Sequence, residues 1–333
     1  MRAPRFWGNP PDRPGALARL LAPLAWAWAA AARSRLRRGQ ARRVGVPVIC
    51  VGNLTAGGTG KTPTVTAMML RLAGRGVVVH AVSRGYGGRL EGPVRVDPRR
   101  HTAAEVGDEP LLLAAFGPVW VGRDRFAAAR AAAAEGARAI VMDDGFQNPD
   151  LAKDLSLVVV DTAYGFGNGR VIPAGPLREP VTDGLARADL VLAIGSPAAR
   201  AAFAGRWPDA GPRVEGDELA LRTGMDWRGL RVVAFAGIGR PEKFFATLRA
   251  EGAEIVAARG FADHAAFDPR ILVRLEAEAR AAGAQLVTTE KDAVRLPPAF
   301  RGKVLVLPVR LDLADWQPVD AAFDRLPVGE VEP

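Results

Sequence analysis

The sequence has a single cysteine, Cys50, so no disulfide framework can hold it together. Cys50 lies in the apolar run 46–51 and reads as a small buried hydrophobe suited to a reducing compartment. With one cysteine and three histidines, a Cys/His metal cluster is excluded. Lysine is scarce beside arginine. The body of the chain also lacks net charge. Residues 1–43 carry Arg2, Arg5, Arg13, Arg19, Arg33, Arg35, Arg37, Arg38, Arg42 and Arg43 against one acid, Asp12. That segment alone accounts for the net charge of +9, leaving residues 44–333 neutral. A neutral body argues against a nucleic-acid partner. A basic segment on a neutral body points instead to an anionic membrane surface.

The same segment is apolar between residues 20 and 32, which read LLAPLAWAWAAAA. A bilayer span needs about 20 apolar residues, and Pro23 interrupts this shorter run. Trp26 and Trp28 favour the headgroup zone, so an interfacial helix fits better than a span. A signal peptide fits poorly, because Arg33, Arg35, Arg37 and Arg38 stand where a cleavage site would fall. The competing expectation is a helix packed on the protein's own core.

At 333 residues the chain can form one large domain or two modest ones. Short apolar runs alternate with helical stretches, predicting an α/β fold with a mostly parallel sheet covered by helices on both faces. A second, smaller α/β unit follows. The expected divisions are a membrane-associating segment (1–43), a P-loop NTPase-like domain (44–212), a linker (213–229), the smaller domain (230–312) and a tail (313–333). The stretch 162–184 lacks periodicity, and a loop of that length is often functional.

The segment Val51-Gly52-Asn53-Leu54-Thr55-Ala56-Gly57-Gly58-Thr59-Gly60-Lys61-Thr62-Pro63 follows a predicted strand and opens a predicted helix. Glycines there let backbone N–H groups turn inward around phosphate oxygens, and the helix N-terminus adds a positive dipole end. The nucleotide contacts are expected from Thr55 through Thr62. Lys61 is placed for the β- and γ-phosphates of ATP and the Thr62 hydroxyl for Mg²⁺. The strict phosphate-loop pattern wants glycine where Thr55 stands. Downstream, an apolar run ends in Asp143-Asp144, carboxylates suited to organising Mg²⁺.

At these residues the sequence resembles the lipid A 4′-kinase (tetraacyldisaccharide 4′-kinase) family, whose variant phosphate loop also lacks that first glycine. The likeness continues in order through Ser83-Arg84-Gly85-Tyr86-Gly87, Gly107-Asp108-Glu109-Pro110, Asp143-Asp144-Gly145-Phe146-Gln147, Pro173-Ala174-Gly175-Pro176-Leu177-Arg178-Glu179-Pro180, Phe261-Ala262-Asp263-His264 and Thr288-Thr289-Glu290-Lys291-Asp292. It implies transfer of the ATP γ-phosphate to the 4′-hydroxyl of a tetraacylated disaccharide 1-phosphate, a lipid substrate. It implies two α/β/α domains with the nucleotide between them, and an N-terminal helix at the cytoplasmic face of the bacterial inner membrane. It further implies Asp108 as proton acceptor with His264 as its partner. One position departs: Asn148 stands where the family often has histidine, and asparagine cannot titrate.

Arginine suits the charge on a transferring phosphate, which makes Arg178 a catalytic candidate. Arg125, Glu179, Ser83, Arg84 and Tyr86 are candidates for substrate contact; the last three follow a strand's C-terminal end, where ligands gather in such sheets. Each has a plainer alternative: Asp108 as a helix cap, Arg178 in a surface ion pair, Arg125 on a solvated helix face. The competing function is a membrane-associated P-loop ATPase switch of the partitioning type. Such proteins carry lysine just before the paired glycines, where this chain has Ala56.

Overall fold

A computed structural model describes residues 3–211, 213–263 and 265–327. Thirteen strands occur among them: β1 (Val48–Gly52), β2 (Val79–Ser83), β3 (Val94–Arg95), β4 (Val119–Val121), β5 (Ala139–Asp143), β6 (Leu155–Asp161), β7 (Leu190–Ile194), β8 (Arg213–Ala220), β9 (Arg231–Ala236), β10 (Glu254–Gly260), β11 (Gln285–Thr289), β12 (Val304–Leu307) and β13 (Val309–Leu313). They form a nine-stranded sheet, β13-β8-β7-β6-β1-β5-β2-β4-β3, and a four-stranded sheet, β10-β9-β11-β12. The large sheet is parallel from β8 to β4, and antiparallel β13 and β3 close its edges. The small sheet is parallel throughout.

Every residue of β1, β2, β5, β6 and β7 is buried, because helices cover both faces. Successive side chains alternate between the faces. Ile49 and Val51 pack with Val65, Met68, Met69 and Leu72 of the helix Lys61–Gly74, while Val48 and Cys50 pack with Ala128, Ala129 and Ala132 of the helix Arg125–Ala134. Positions 65, 68, 69 and 72 form one helical stripe, fully shielded from solvent. Each contributes roughly 1.5–3 kcal/mol by burial. That anchorage fixes the start of the helix, and with it the Gly-rich loop. The small sheet repeats the scheme, with helices Pro241–Ala250 and Pro269–Ala281 on opposite faces.

The chain enters the small sheet after β8 and leaves it before β13. β8 falls within the expected linker, and its hydrogen bonds lie in the large sheet, parallel to β7. β13 pairs antiparallel with β8, Val309 opposite Ala220. The closing helix Gln317–Asp324 then buries Val319, Ala322 and Phe323 in the same layer as Met68 and Met69. The two sheets are thus joined by two crossings, and their strand ends flank one cleft of about 220 Å³.

The N-terminal segment forms helices Ala16–Leu20 and Ala22–Arg38, with Pro23 in the first turn of the second, a position that tolerates its missing N–H. Ala25 and Ala29, four apart, face the core. Leu20, Leu24 and Trp26 are 75%, 60% and 73% exposed. The helix therefore packs on the protein's own core along one face and leaves bulky apolar side chains exposed on another. Among the described residues no helix is long and apolar enough to cross a membrane.

Candidate functional site

The loop after β1 turns sharply at Gly57 and Gly60, with φ of +126° and +84°, backbone that side chains resist. A Cβ added at Gly57 or Gly58 would meet nothing within 4 Å, so the loop borders open space. At Gly60 it would collide with Glu218 Oε1. Gly58, Thr59, Gly60, Lys61 and Thr62 line the cleft, and Thr59 Oγ1 is buried with no hydrogen-bond partner among the described residues. Thr55 and Ala56 stand apart in role. Their segment is stitched to the long loop: Ala56 N–H donates to the Pro176 carbonyl at 2.8 Å, and Thr55 bridges to Leu177.

β5 lies beside β1, with Asp143 in register with Val51. The two adjacent aspartates therefore arrive next to the loop but point differently. Asp143 is buried and accepts a hydrogen bond from Ser83 Oγ at 3.2 Å. Burial, and then the carboxylates of Glu109 and Asp144, push its pKa up to about 7, against Lys61 and the Ser83 bond. Asp144 takes a left-handed backbone, φ +48°. Burial disfavours its charge too, but Lys61 at 3.7 Å and Arg178 outweigh burial and hold its pKa below the ordinary value. Arg178 grips both Asp144 oxygens, at 2.8 and 3.2 Å, a bidentate pairing. It also donates to Gln147 Oε1 at 3.2 Å, and Gln147 Nε2 donates to the Asn53 carbonyl at 3.0 Å. Lys61 Nζ donates to Asn53 Oδ1 at 3.3 Å, which closes the ring of contacts.

The other candidates occupy varied places. Glu179 is buried, held by Gln147 Nε2 at 2.9 Å and by Arg187. Ser83 is buried against Asp143, whereas Arg84 and Tyr86 are exposed past the end of β2. Arg125 is half-buried rather than on a solvated face; its Nη2 donates to the Asp144 carbonyl at 3.1 Å, and burial lowers its pKa. Asp108 is the first residue of the helix Asp108–Leu113, with Gly107 at the cap position. It is buried, and it faces Lys291 Nζ at 4.0 Å and Arg295 Nε at 3.7 Å from the smaller sheet's side. His264 lies outside the described residues. Its neighbour Asp263 is 3.7 Å from the same Lys291 Nζ.

Lys291 is the residue that sequence reasoning passed over. It stands on the cleft wall between Glu109 (3.1 Å), Asp263 and Asp108. Burial works against its charge, but those three carboxylates outweigh it and raise its pKa. Its presence in the Thr288–Asp292 motif was the only signal. Arg240 pairs with buried Asp161, and Lys243 with Glu218 at 2.7 Å, across the same cleft. These four bases and acids were not singled out, because their partners come from distant segments.

A parallel sheet with a Gly-rich loop opening a helix, and paired acids on the adjacent strand, defines a P-loop phosphotransferase. The profile of the family described as tetraacyldisaccharide-1-P 4′-kinase matches residues 17–327. The tetraacyldisaccharide 4′-kinase of Dinoroseobacter shibae is 64% identical over 98% of each chain. That of a Jannaschia species is 57% identical over 98% of this chain and 99% of its own. A crystal structure of LpxK from Aquifex aeolicus in complex with ATP superposes with a TM-score of 0.73, at 24% identity, covering 93% of this chain and 99% of that one. The chain belongs to the tetraacyldisaccharide 4′-kinase family and is a kinase. The partitioning-type ATPase reading falls away.

Proposed function

We propose that Lys61, Arg178, Asp143 and Asp108 divide the labour of the ATP-dependent phosphorylation of the 4′-hydroxyl of tetraacyldisaccharide 1-phosphate. The observation that carries this reading is the ring Lys61–Asp144–Arg178–Gln147–Asn53 at the mouth of the Gly-rich loop. It holds two cations, Lys61 and Arg178, and Lys61 lines the cleft beside Gly58, Thr59 and Gly60. Thr59 Oγ1, buried and unbonded, suits a phosphate oxygen as partner. ATP fits the cradle of Gly57, Gly58 and Gly60, and Lys61 would supply charge at its terminal phosphates.

Among the described residues no group of three or more His, Cys, Asp or Glu could hold a metal by itself. That suits Mg²⁺, which binds one or two carboxylates plus substrate phosphates rather than an all-protein cage. Both Asp144 oxygens are engaged by Arg178, whereas Asp143 is a disfavoured buried anion with one bond to Ser83. Asp143 with Thr62 is therefore the better pair of ligands, and Asp144 the anchor for Arg178 and Lys61. The metal would neutralise charge developing on the transferred phosphoryl group.

Asp108 is the proposed proton acceptor for the 4′-hydroxyl, with His264 as its partner. Lys291 Nζ at 4.0 Å and Arg295 Nε at 3.7 Å pair with the Asp108 carboxylate. Arg125, Glu179, Ser83, Arg84 and Tyr86 border the proposed acceptor side, with Glu179 and Ser83 orienting Gln147 and Asp143. The basic segment 1–43 would seat the protein on the cytoplasmic face of the bacterial inner membrane, where an acylated substrate resides. The direct test is turnover of ATP with and without the disaccharide. Lys61→Ala should lower turnover at least ~10²-fold while thermal melting holds; full activity in the folded variant would sink the phosphate-loop assignment.

A further inference from the structure

The helix Ala22–Arg38 does more than offer an apolar face. Trp28 Nε1–H donates to the carbonyl of Arg178 at 3.1 Å. On the other side of the same residue, the Arg178 N–H donates to the carbonyl of Leu54 at 2.8 Å. The backbone of Arg178 is thus clamped between the N-terminal helix and the Gly-rich loop. Seven residues on from Trp28, two turns along the same helix face, Arg35 Nη2 donates to the carbonyl of Gln147 at 3.3 Å. Gln147 is the residue whose side chain holds Arg178 Nη1. Arg33, two residues before Arg35, pairs with Asp183 in the short helix Val181–Leu185 at the end of the long loop. The helix therefore touches the backbone of both residues that aim the Arg178 guanidinium at Asp144.

We propose that Trp28 is a positioning residue for Arg178, through which the N-terminal helix sets the geometry of the phosphate site. The inference rests on the reading of Arg178 as a phosphate-side group. Arg178 lies in a loop, and its backbone is held at the N–H by Leu54 and at the carbonyl by Trp28. The indole N–H thus fixes the second side of that residue. Leu24 and Trp26 on the same helix face solvent. Contact of this helix with a lipid surface and order at Arg178 thus share one rigid element.

The test is Trp28→Phe, which keeps an aromatic ring and removes the donor, assayed with substrate dispersed in detergent micelles so that vesicle binding does not limit the rate. kcat should fall about threefold to tenfold, the worth of one neutral hydrogen bond, with ATP affinity unchanged. Arg178→Gln and the double variant are measured in parallel. If Trp28 acts through Arg178, Trp28→Phe costs little more once Arg178 is gone. An equal fall in both backgrounds, or no fall in the single variant while Arg178→Gln is impaired, overturns the inference alone. Full activity of Arg178→Gln overturns the reading of Arg178 and the inference with it. Thermal melting of each variant sets the assay temperature, and a loss that disappears where all are folded also counts against it.

Discussion

Asp143 and Asp144 are neighbours in sequence, yet the fold gives them opposite charge preferences. Asp144 turns through a left-handed conformation toward Lys61 and Arg178, while Asp143 stays in line with β5, buried among acids. This has a consequence for stability. An unfolded aspartate ionises near 3.8, whereas folded Asp143 does so at about 7. Between those values the folded chain keeps a proton that the unfolded chain has lost, so stability falls as pH rises through that window. Without Mg²⁺ or nucleotide, Asp143→Asn should gain in melting temperature over wild type as pH goes from 5.5 to 7.5; parallel curves would refute the assignment. Asp108 has other neighbours, Lys291 and Arg295. Asp108→Asn should lower kcat by ~10²–10⁴ with little change in ATP affinity, measured at a temperature where the variant is folded. Some loss of melting temperature is expected as well, because a buried pair is broken. A lower melting temperature with kcat intact would make Asp108 structural. The sequence pointed to both positions, but the opposite fates of 143 and 144 depend on a single backbone turn.

At the scale of elements, the N-terminal helix has one face on the core and another face exposed. Ala25 and Ala29 are small, so the helix lies close to the large sheet's outer layer, and the bulky Leu20, Leu24 and Trp26 are left outside. Composition alone could not choose between a membrane-facing and a core-facing helix, because it does not show which residues share a face. Replacing Leu20, Leu24 and Trp26 together with Gln should weaken co-sedimentation with anionic vesicles most clearly at high salt, where the charge contribution is screened. Replacing Arg37 and Arg38 should weaken it mainly at low salt. Unchanged sedimentation in both sets would put membrane attachment elsewhere. The helix Lys61–Gly74 was legible as the helix that the Gly-rich segment opens, because that lead-in is a local signal.

For the whole molecule, the cleft is the place where the two sheets meet, spanned by Arg240–Asp161, Lys243–Glu218 and Lys291–Glu109. A nucleotide bound there would contact both sides and stabilise only the folded chain. At a hundredfold excess over its Kd, ATP with Mg²⁺ should add about 2.7 kcal/mol of stability, read as a rise in melting temperature. Lys61→Ala should lose most of that rise; an equal rise in the variant would mean ATP binds elsewhere. The amino-acid sequence by itself determined the alternating strands and helices, the phosphate loop, the acids at the end of β5 and the family, because each of these is a local pattern or an ordered set of motifs. It also determined that the excess charge lies before residue 44. Tertiary structure alone decided that β13 returns to the large sheet, that Lys291 reaches Asp108 and Glu109, and that Trp28 clamps Arg178. Those contacts join residues separated by 150 positions or more, or, for β13 and β8, strands split by the whole small sheet. No short-range period or propensity encodes which distant backbone a side chain will meet; only the packing of the two sheets and the N-terminal helix fixes it.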